Sequence, residues 1–376
     1  SGILAMALCE ADLPLAIPLR QRTLDLDNLD GDDALDLSQN LSALAARDGK
    51  LWLGGDEGTS LYRLSKLGDG LYGEAKPVNL QEFNLAGSKK ANGESDIEGL
   101  ARDGQRLWLV GSHSLRRRKH DTTKGIPLSL HDEQSRNAHV LGCLRLNGEG
   151  DAVAGQRLAY DPGLGHDALT RALAADPRIH PFLAIPSKEN GLDIEGLAAR
   201  DDQVLVGLRG PVLRGIALVV DLRLGGLDAD EGPLTLASHR LRFLDLRGLA
   251  VRDLAVVPGE DDVLVLAGPT MTQAGPCFLY RWRGALSARA ISEAGDGAAA
   301  ITVEEPEPLL WIRDGRPGRP SDDPKHPAGS DKPEGLEVQR HDTEGLVAWV
   351  AYDDPVAARR KGQGVRTRLD GFAIPE

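Results

Sequence analysis

The stretch SDIEGLARDGQRLWLVGSHS, residues 95–114, decides the fold. A short apolar run leads to the dipeptide Asp103-Gly104, which is typical of tight β-hairpin turns. Beyond the turn, the sequence continues with the period-two alternation of a half-buried strand. The stretch therefore predicts two antiparallel strands joined by a tight turn.

The same phrase returns four more times along the chain. The other copies are NLSALAARDGKLWLGGDE (40–57), LDIEGLAARDDQVLVGLRG (192–210), VRDLAVVPGEDDVLVLAGPT (251–270) and KPEGLEVQRHDTEGLVAWVAYDD (332–354). A leucine marks the same place in each first strand, at Leu44, Leu100, Leu197, Leu254 and Leu336. Successive markers are 56, 97, 57 and 82 residues apart, so the short intervals give a repeat of about 56 residues. Repeats of this kind predict propeller blades.

Further strands are expected after each hairpin, which predicts an all-β fold, a single β-propeller over residues 13–376. The repeats predict five blades, or six if one long interval hides a degenerate blade. The outer strand of the fourth blade is expected at residues 285–292. The last blade runs out of chain after three strands, so residues 13–26 are expected to close it and remove an open edge. A pair of β-sandwiches is the alternative, but sandwiches need no repeated phrase.

Composition narrows the class of protein. The 376 residues include 41% hydrophobic ones, enough for a substantial core, and 44 Gly and 22 Pro, which suit many short strands and turns. The formal net charge of −13 argues against a nucleic-acid partner, since phosphate binding needs a basic surface. We expect a monomer.

The N-terminal residues and the cysteines give weaker indications about location. Residues 1–12 are too short to span a bilayer and resemble the remnant of a secretory signal, although a ragged terminus is the alternative. This favours a periplasmic or secreted location over a cytoplasmic one, and no transmembrane segment is expected. Cys9, Cys143 and Cys277 form no metal-type pair, and no disulfide is expected between Cys143 and Cys277.

Strand direction places the long loops on one face. The start of each first strand and the end of each second strand emerge on the same face, where loops 115–139, 161–190 and 316–331 are expected. A short helix is expected from His166 to Ala175. Long loops gathered on one face indicate function, with neutral insertion as the alternative.

Several acids recur where the first strands begin. Glu98, Glu195 and Glu334 each precede Gly-Leu, and Asp96 and Asp193 stand two residues before the first two. Carboxylate oxygens are the ligands that Ca²⁺ and Mg²⁺ prefer, so these five acids are candidate metal ligands. The alternative is structural, with each carboxylate accepting backbone N–H groups. No cofactor is identified beyond these two ions.

Other polar groups are expected on the same face. Asp56 and Asp353 end second strands, and the basic residues Arg116, Arg117 and Arg118 follow one, so all five are candidate ligand-binding residues. His113 and Arg209, at equivalent strand ends, are candidate catalytic residues. The alternatives are a solvated basic loop and a hydrogen-bonded channel histidine.

The phrases SDIEGLA (95–101), GSHSLRRRKHD (111–121), LDIEGLA (192–198) and KPEGLEV (332–338) resemble those of a bacterial propeller family with no assigned function. The resemblance covers most of the chain after residue 13 and implies the fold without an activity. The chain is more loosely similar to phytase-like esterase propellers and calcium-dependent lactonase propellers. That similarity implies metal-binding roles for Glu98, Glu195 and Glu334, but SAL (42–44) and RDL (252–254) depart from the motif.

These observations leave three functional hypotheses open. The first is a propeller that binds a small anionic or metal-associated ligand at the channel mouth. The second is a metal-assisted hydrolase of a phosphate ester or lactone. The third is a non-catalytic scaffold for a protein partner. No complete catalytic motif is present to decide whether the protein is an enzyme.

Overall fold

The structure is a computed structural model. It describes residues 13, 15–86, 94–116, 123, 125, 138–229, 232–273, 275–287, 301–312, 331–360 and 364–375.

The described residues form β-strands and two short α-helices, each numbered in chain order. The strands are β1 (Arg20–Asp25), β2 (Leu41–Arg47), β3 (Lys50–Gly55), β4 (Ser60–Gly68), β5 (Leu71–Asn79), β6 (Ile97–Asp103), β7 (Arg106–Gly111), β8 (Leu141–Leu146), β9 (Ala152–Arg157), β10 (Tyr160–Asp161), β11 (His166–Asp167), β12 (Asp193–Arg200), β13 (Gln203–Leu213), β14 (Ile216–Gly225), β15 (Thr235–Leu244), β16 (Ala250–Val256), β17 (Val263–Gly268), β18 (Cys277–Trp282), β19 (Val303–Glu304), β20 (Glu307–Ile312), β21 (Lys332–His341), β22 (Gly345–Asp353) and β23 (Arg366–Ala373). The helices are α1 (Gly31–Gln39) and α2 (Ala168–Ala175).

Each repeated phrase forms an antiparallel hairpin, as the sequence predicts. The strands assemble into sheets in the orders β6-β7-β8-β9, β12-β13-β14-β15-β19 and β16-β17-β18-β20. An eight-stranded sheet has the order β2-β3-β4-β5-β1-β23-β22-β21, and β10 pairs with β11. The fold is therefore all-β, built mainly from consecutive antiparallel strands.

The first strands of the five hairpins, β2, β6, β12, β16 and β21, are called the inner strands below. Each inner strand contacts the next in this order, and β21 contacts β2. Glycine allows this close approach, because a Cβ at Gly99 would lie 2.7 Å from the Cβ of Leu197 on the neighbouring inner strand. Each inner strand thus packs against two others.

The N-terminal strand β1 joins the end of the chain to its beginning. It pairs antiparallel with β23 over six residues, from Arg20–Gly371 to Asp25–Arg366, and makes a two-residue parallel pairing with β5. Arg22 of β1 is buried, with its guanidinium carbon 3.6 Å from the centre of the Trp349 ring. This strand therefore covers the outer edge of the group that contains β21.

Three elements differ from or refine the sequence expectations. The outer strand beside β18 is β20, so the prediction that residues 285–292 supply it is wrong; residues 285–287 form a turn, and 288–292 lie outside the described residues. The predicted helix in the 161–190 loop is confirmed as α2. Helix α1 was not expected, and its first turn is capped by the Asp30 side chain. Among the residues that the structure describes, no helix is long and apolar enough to cross a membrane.

Candidate functional site

The pairing of each inner strand with its partner shifts register at one equivalent position. The shift falls at Ser42 in β2, and Glu98, Glu195, Arg252 and Glu334 occupy the same place in the other inner strands. Register shifts of the β-bulge type redirect a side chain and are common beside functional sites. These five residues are called the bulge ring below.

Arg252 balances two of the three carboxylates in the bulge ring. Its Nε lies 3.0 Å from Oε2 of Glu195, and its Nη2 forms an ion pair with Glu334. All three side chains are at least 90% buried, where unpaired charges are costly. One of the two inner strands that lack the glutamate therefore supplies a cation to both of its neighbours.

Glu98 is the acid of the bulge ring that Arg252 does not reach. No cation or hydrogen-bond donor contacts its carboxyl group within the described part of the chain. Burial raises the pKa of Glu98 well above 4.5, and the carboxylates of Asp56, Asp96, Glu195 and Glu334 raise it further. The site thus contains an acid that lacks a counter-charge.

A cavity of about 400 Å³ lies over the bulge ring. It is lined by carboxyl groups (Asp56, Glu98, Glu195, Glu334, Asp353), by cations (Lys188, Arg209, Arg252, Lys332) and by Pro269, Met271, Thr272, Gln273, Gly275, Cys277 and Pro333. These residues come from starts of inner strands, ends of second strands and adjoining loops, as the strand-direction argument predicts. The volume is within the range of small-molecule sites.

Arg209 is fixed on one wall of the cavity. Its Nη1 lies 2.6 Å from Oε1 of Glu195 and 3.7 Å from Asp193, and its Nη2 donates to the carbonyl of Met271. Its Nε is buried without a hydrogen-bond partner. Burial raises the pKa of Asp193 to about 8 despite the opposing effect of Arg209. Most of the Arg209 charge is therefore used to hold two carboxylates.

Asp56 and Asp353 line the cavity where the second strands β3 and β22 end. Lys332 Nζ is 3.2 Å from Asp353 Oδ2, whereas Oδ1 of Asp56 is buried and accepts no hydrogen bond. Burial raises the pKa of Asp56 well above 3.8, as do Asp96, Asp353 and Glu195. Asp56 and Glu98 thus form a part of the wall in which no cation of the described residues pairs with the carboxyl groups.

Asp96 and Arg116 form a separate pair behind this wall. Arg116 Nη2 donates to Asp96 Oδ1 at 2.6 Å, and the Ser112 hydroxyl donates to the other oxygen. Asp96 has a φ of +51°, a left-handed conformation that is unusual for a residue other than glycine and is often held at functional sites. Arg116 does not line the cavity, and Arg117 and Arg118 lie outside the described residues.

His113 lies in a second buried group, called the His113 cluster, made of His113, His139, Asp167 and Thr170. His113 Nε2 is 2.8 Å from Asp167 Oδ2, and its Nδ1 is 2.8 Å from the carbonyl of Gly111, so both nitrogens face acceptors. Asp167 also accepts the backbone N–H of Thr170 and caps α2. Burial alone would raise the pKa of Asp167, but His113 lowers it below its ordinary value. The cluster ties the 161–190 loop to the end of β7.

The structure brings together part of the residue set that the sequence singles out. Asp56, Glu98, Glu195, Arg209, Glu334 and Asp353 line one cavity. Asp96 and Asp193 stand behind it, and His113 is fully buried outside it. Within the described residues, no three His, Cys, Asp or Glu side chains are grouped so as to hold a metal ion. The catalytic and metal-binding roles therefore stay predictions.

Sequence reasoning missed Arg252, Lys188 and Lys332. Arg252 could have been found, because aligning the repeats on the marker leucine places it at the position of the three glutamates. Lys332 similarly aligns with Asp96 and Asp193. No sequence signal places Lys188 at the cavity, since it comes from a loop between repeats.

Comparisons with known proteins bear on the family and leave the activity open. The family model described as "Protein of unknown function (DUF3616)" matches residues 40–367. No curated protein matches the chain.

Three solved structures are similar at low identity. Myxococcus xanthus glutaminyl cyclase is 9% identical, with 96% of this chain and 98% of that chain covered and a TM-score of 0.39. The β-propeller domain of Myceliophteria thermophila Cps50 (Swd1) is 12% identical, with 90% and 98% covered and a TM-score of 0.34. Drosophila Semaphorin 1a, extracellular domains 1–2, is 8% identical, with 96% and 88% covered and a TM-score of 0.38. Likenesses this weak assign no function.

Proposed function

The chain belongs to the DUF3616 family of proteins of unknown function, and we propose that its cavity binds a small ligand through a cationic centre. The observation that carries this proposal is the Glu98 carboxyl group, which has no counter-charge within the described residues and faces the cavity. A cation placed between Glu98 and Oδ1 of Asp56 would supply what both carboxyl groups lack.

The charges of the site favour a cationic over an anionic ligand. Arg252 forms ion pairs with Glu195 and Glu334. Arg209 also pairs with Glu195, and Lys332 pairs with Asp353. An anion at Arg252, at the Nη atoms of Arg209 or at Lys332 would have to compete with these carboxylates. A cation would instead pair with the carboxyl groups of Glu98 and Asp56. The anionic ligand expected from the basic loop therefore has less support.

The cationic centre has two chemical sources, a divalent metal ion and an organic ammonium group. Ca²⁺ takes six to eight oxygen ligands in flexible geometry, so Glu98 with Asp56 could hold it with waters. An ammonium needs fewer ligands and donates three hydrogen bonds. The other expected metal ligands, Asp96, Asp193, Glu195 and Glu334, already contact arginines.

Isothermal titration calorimetry at pH 8 separates these sources, with CaCl₂, MgCl₂ and n-butylammonium chloride as probes. We expect at least one probe to bind and to release protons, because a nearby cation lowers the raised pKa of Glu98. Proton release is read from titrations in two buffers of different ionisation enthalpy.

The Glu98→Gln variant should lose this binding and the proton release. Glu82→Gln, a change at an exposed residue away from the cavity, is the matched control and should keep both. Absence of binding by all three probes, or equal binding by the Glu98→Gln variant, would rule the proposal out.

A second candidate function is hydrolysis of a phosphate ester or lactone. One observation favours it, namely the different surroundings of two carboxyl groups in the cavity. Glu98 has no counter-charge and therefore suits a proton donor, whereas Glu195 contacts two arginines and therefore suits an ionised carboxylate. Turnover of p-nitrophenyl phosphate, p-nitrophenyl acetate and γ-butyrolactone, with and without Ca²⁺, tests it. No turnover, or turnover that survives Glu195→Ala, would remove this candidate.

We also propose that the sheets are the five blades of a closed propeller in which β1 completes the last blade. The sequential contacts of the inner strands and the pairing of β1 with β23 support this arrangement. A chain without residues 1–25 should unfold at markedly lower temperature than a chain without residues 1–12, because it lacks the strand that covers the last edge. Equal melting temperatures would contradict the proposed closure.

A further inference from the structure

The cavity is electrically asymmetric. The groups of β2 and β6 contribute only Asp56 and Glu98 to the charged lining, and both are acids. The groups of β12, β16 and β21, with the loop before β12, contribute four cations (Lys188, Arg209, Arg252, Lys332) against three carboxyl groups (Glu195, Glu334, Asp353). One side therefore attracts a cation while the other has a surplus of positive charge.

The positive side has donors that remain available. Lys188 lines the cavity, is exposed, and has no carboxylate partner among the described residues. The buried Nε of Arg209 also lacks an acceptor. An ammonium and a guanidinium N–H together suit a carboxylate. This second pole is independent of the acids that motivate cation binding.

Apolar residues also line the cavity. Pro269, Met271 and Pro333 line the same cavity. Met271 has a φ of +57°, and its carbonyl accepts from Arg209 Nη2, so this loop is tied to the positive side. A ligand that fits both poles has an ammonium group, a small body and a carboxylate.

We infer that the cavity binds a free α-amino acid, with its ammonium group on Glu98 and Asp56 and its carboxylate on Lys188 and Arg209. This inference rests on the proposed cation binding and adds the anionic contact to it. The cavity of about 400 Å³ accommodates such a molecule with water.

Calorimetry at pH 8 with each of the twenty standard α-amino acids tests this inference. The best binder is then compared with its amide, which keeps the ammonium group, and with its N-acetyl derivative, which keeps the carboxylate. We expect the amide to bind about 10-fold more weakly than the amino acid, because one charge-assisted contact is lost. The N-acetyl derivative should bind more weakly still.

Two variants test which residues bind the carboxylate and which bind the ammonium group of the ligand. Lys188→Met should weaken binding of the amino acid by about 5- to 10-fold and leave the amide unchanged, since the amide has no carboxylate. Glu98→Gln should weaken both. Lys66→Met, at an exposed lysine of β4 outside the cavity, is the matched control and should change neither.

The outcomes separate this inference from the proposed function. If the amide and the amino acid bind with equal affinity and Lys188→Met has no effect, the inference that the cavity binds the carboxylate of an amino acid is wrong. The proposal of cation binding is then unaffected. Binding by none of the twenty amino acids also overturns the inference, while the Ca²⁺, Mg²⁺ and butylammonium titrations still decide cation binding. Binding of the N-acetyl derivative alone, unaffected by Glu98→Gln, overturns both.

Discussion

The bulge ring and the His113 cluster bury ionisable groups on the same face, yet they balance charge differently. In the His113 cluster, each nitrogen of His113 faces an oxygen, and Asp167 accepts from both His113 and α2. In the bulge ring, Arg252 serves two glutamates and Glu98 has no cation within the described residues. The first arrangement is complete in itself, whereas the second has an unfilled position.

This difference suggests how to separate structural from functional polar groups here. A satisfied buried network contributes to stability, and its loss should be seen in unfolding. An unsatisfied buried acid costs stability, and its retention indicates a role that folding does not explain. Each substitution below tests this difference between the bulge ring and the His113 cluster.

The largest effect is expected for Arg252→Gln. The change leaves Glu334 buried without its cation, whereas Glu195 keeps Arg209, so the free energy of unfolding should fall by about 3–5 kcal/mol at pH 8. The loss should shrink at pH 5, because burial raises the pKa of Glu334 well above 4.5 and a protonated Glu334 needs no cation. Urea denaturation at both pH values measures it.

The matched control for Arg252→Gln is Arg283→Gln. Arg283 pairs with Glu307 at the surface with 57% of its side chain exposed, so its loss should be at most about 1 kcal/mol. Equal destabilisation of the Arg252→Gln variant at pH 5 and pH 8 would mean that Arg252 acts through packing, against the charge-balance argument.

The next effect is expected for Asp167→Ala in the His113 cluster. It removes the acceptor of a fully buried imidazole and the cap of α2, so we expect a loss of about 3 kcal/mol. Asp167→Asn keeps one carbonyl oxygen that can still cap α2, so it should lose less. Thermal and urea unfolding give the stabilities.

The same variants test whether the His113 cluster is only structural. Cation affinity at the cavity should be unchanged in the Asp167→Asn variant, because Asp167 and His113 do not line the cavity. A fall in affinity that exceeds the change expected from instability would assign the cluster a part in binding, as the sequence suggested for His113.

The hairpins and the face of the site were predictable because both depend on local, repeated patterns. The marker leucines fix the strand register, and the Gly after each glutamate reflects the close approach of inner strands. The charge pairs were harder to predict from the sequence, because Arg252 contacts residues of two other inner strands, β12 and β21, which come from separate repeats. The burial of His113 depended on Asp167, which lies in a different loop 54 residues away.

In contrast to the preceding variants, Glu98→Gln should stabilise the folded chain. The pKa of Glu98 is raised in the folded state, so the folded chain loses stability as the pH rises from 4.5 through that raised value. Glutamine has no proton to lose, so the variant should match the natural chain at pH 4. At pH 8 it should be more stable by about 1 kcal/mol or more.

Urea denaturation from pH 4 to pH 9 measures this difference. A variant that is less stable than the natural chain at pH 8 would show that Glu98 has a stabilising partner. Glu98 would then resemble Asp167, and the contrast between the two regions would disappear.

The smallest effect is expected for Arg116→Gln, which compares two arginines that hold buried carboxyl groups. Arg116 pairs with Asp96 as Arg252 pairs with Glu334, but 39% of its side chain is exposed. Water screens such a pair, and the Ser112 hydroxyl still donates to Asp96, so the loss should be about 0.5–1 kcal/mol. Urea denaturation at pH 8 compares it with Arg252→Gln. A loss of stability close to that of Arg252→Gln would show that water does not substitute for the Arg116 guanidinium. Asp96 would then depend on its arginine as strongly as Glu334 of the bulge ring depends on Arg252.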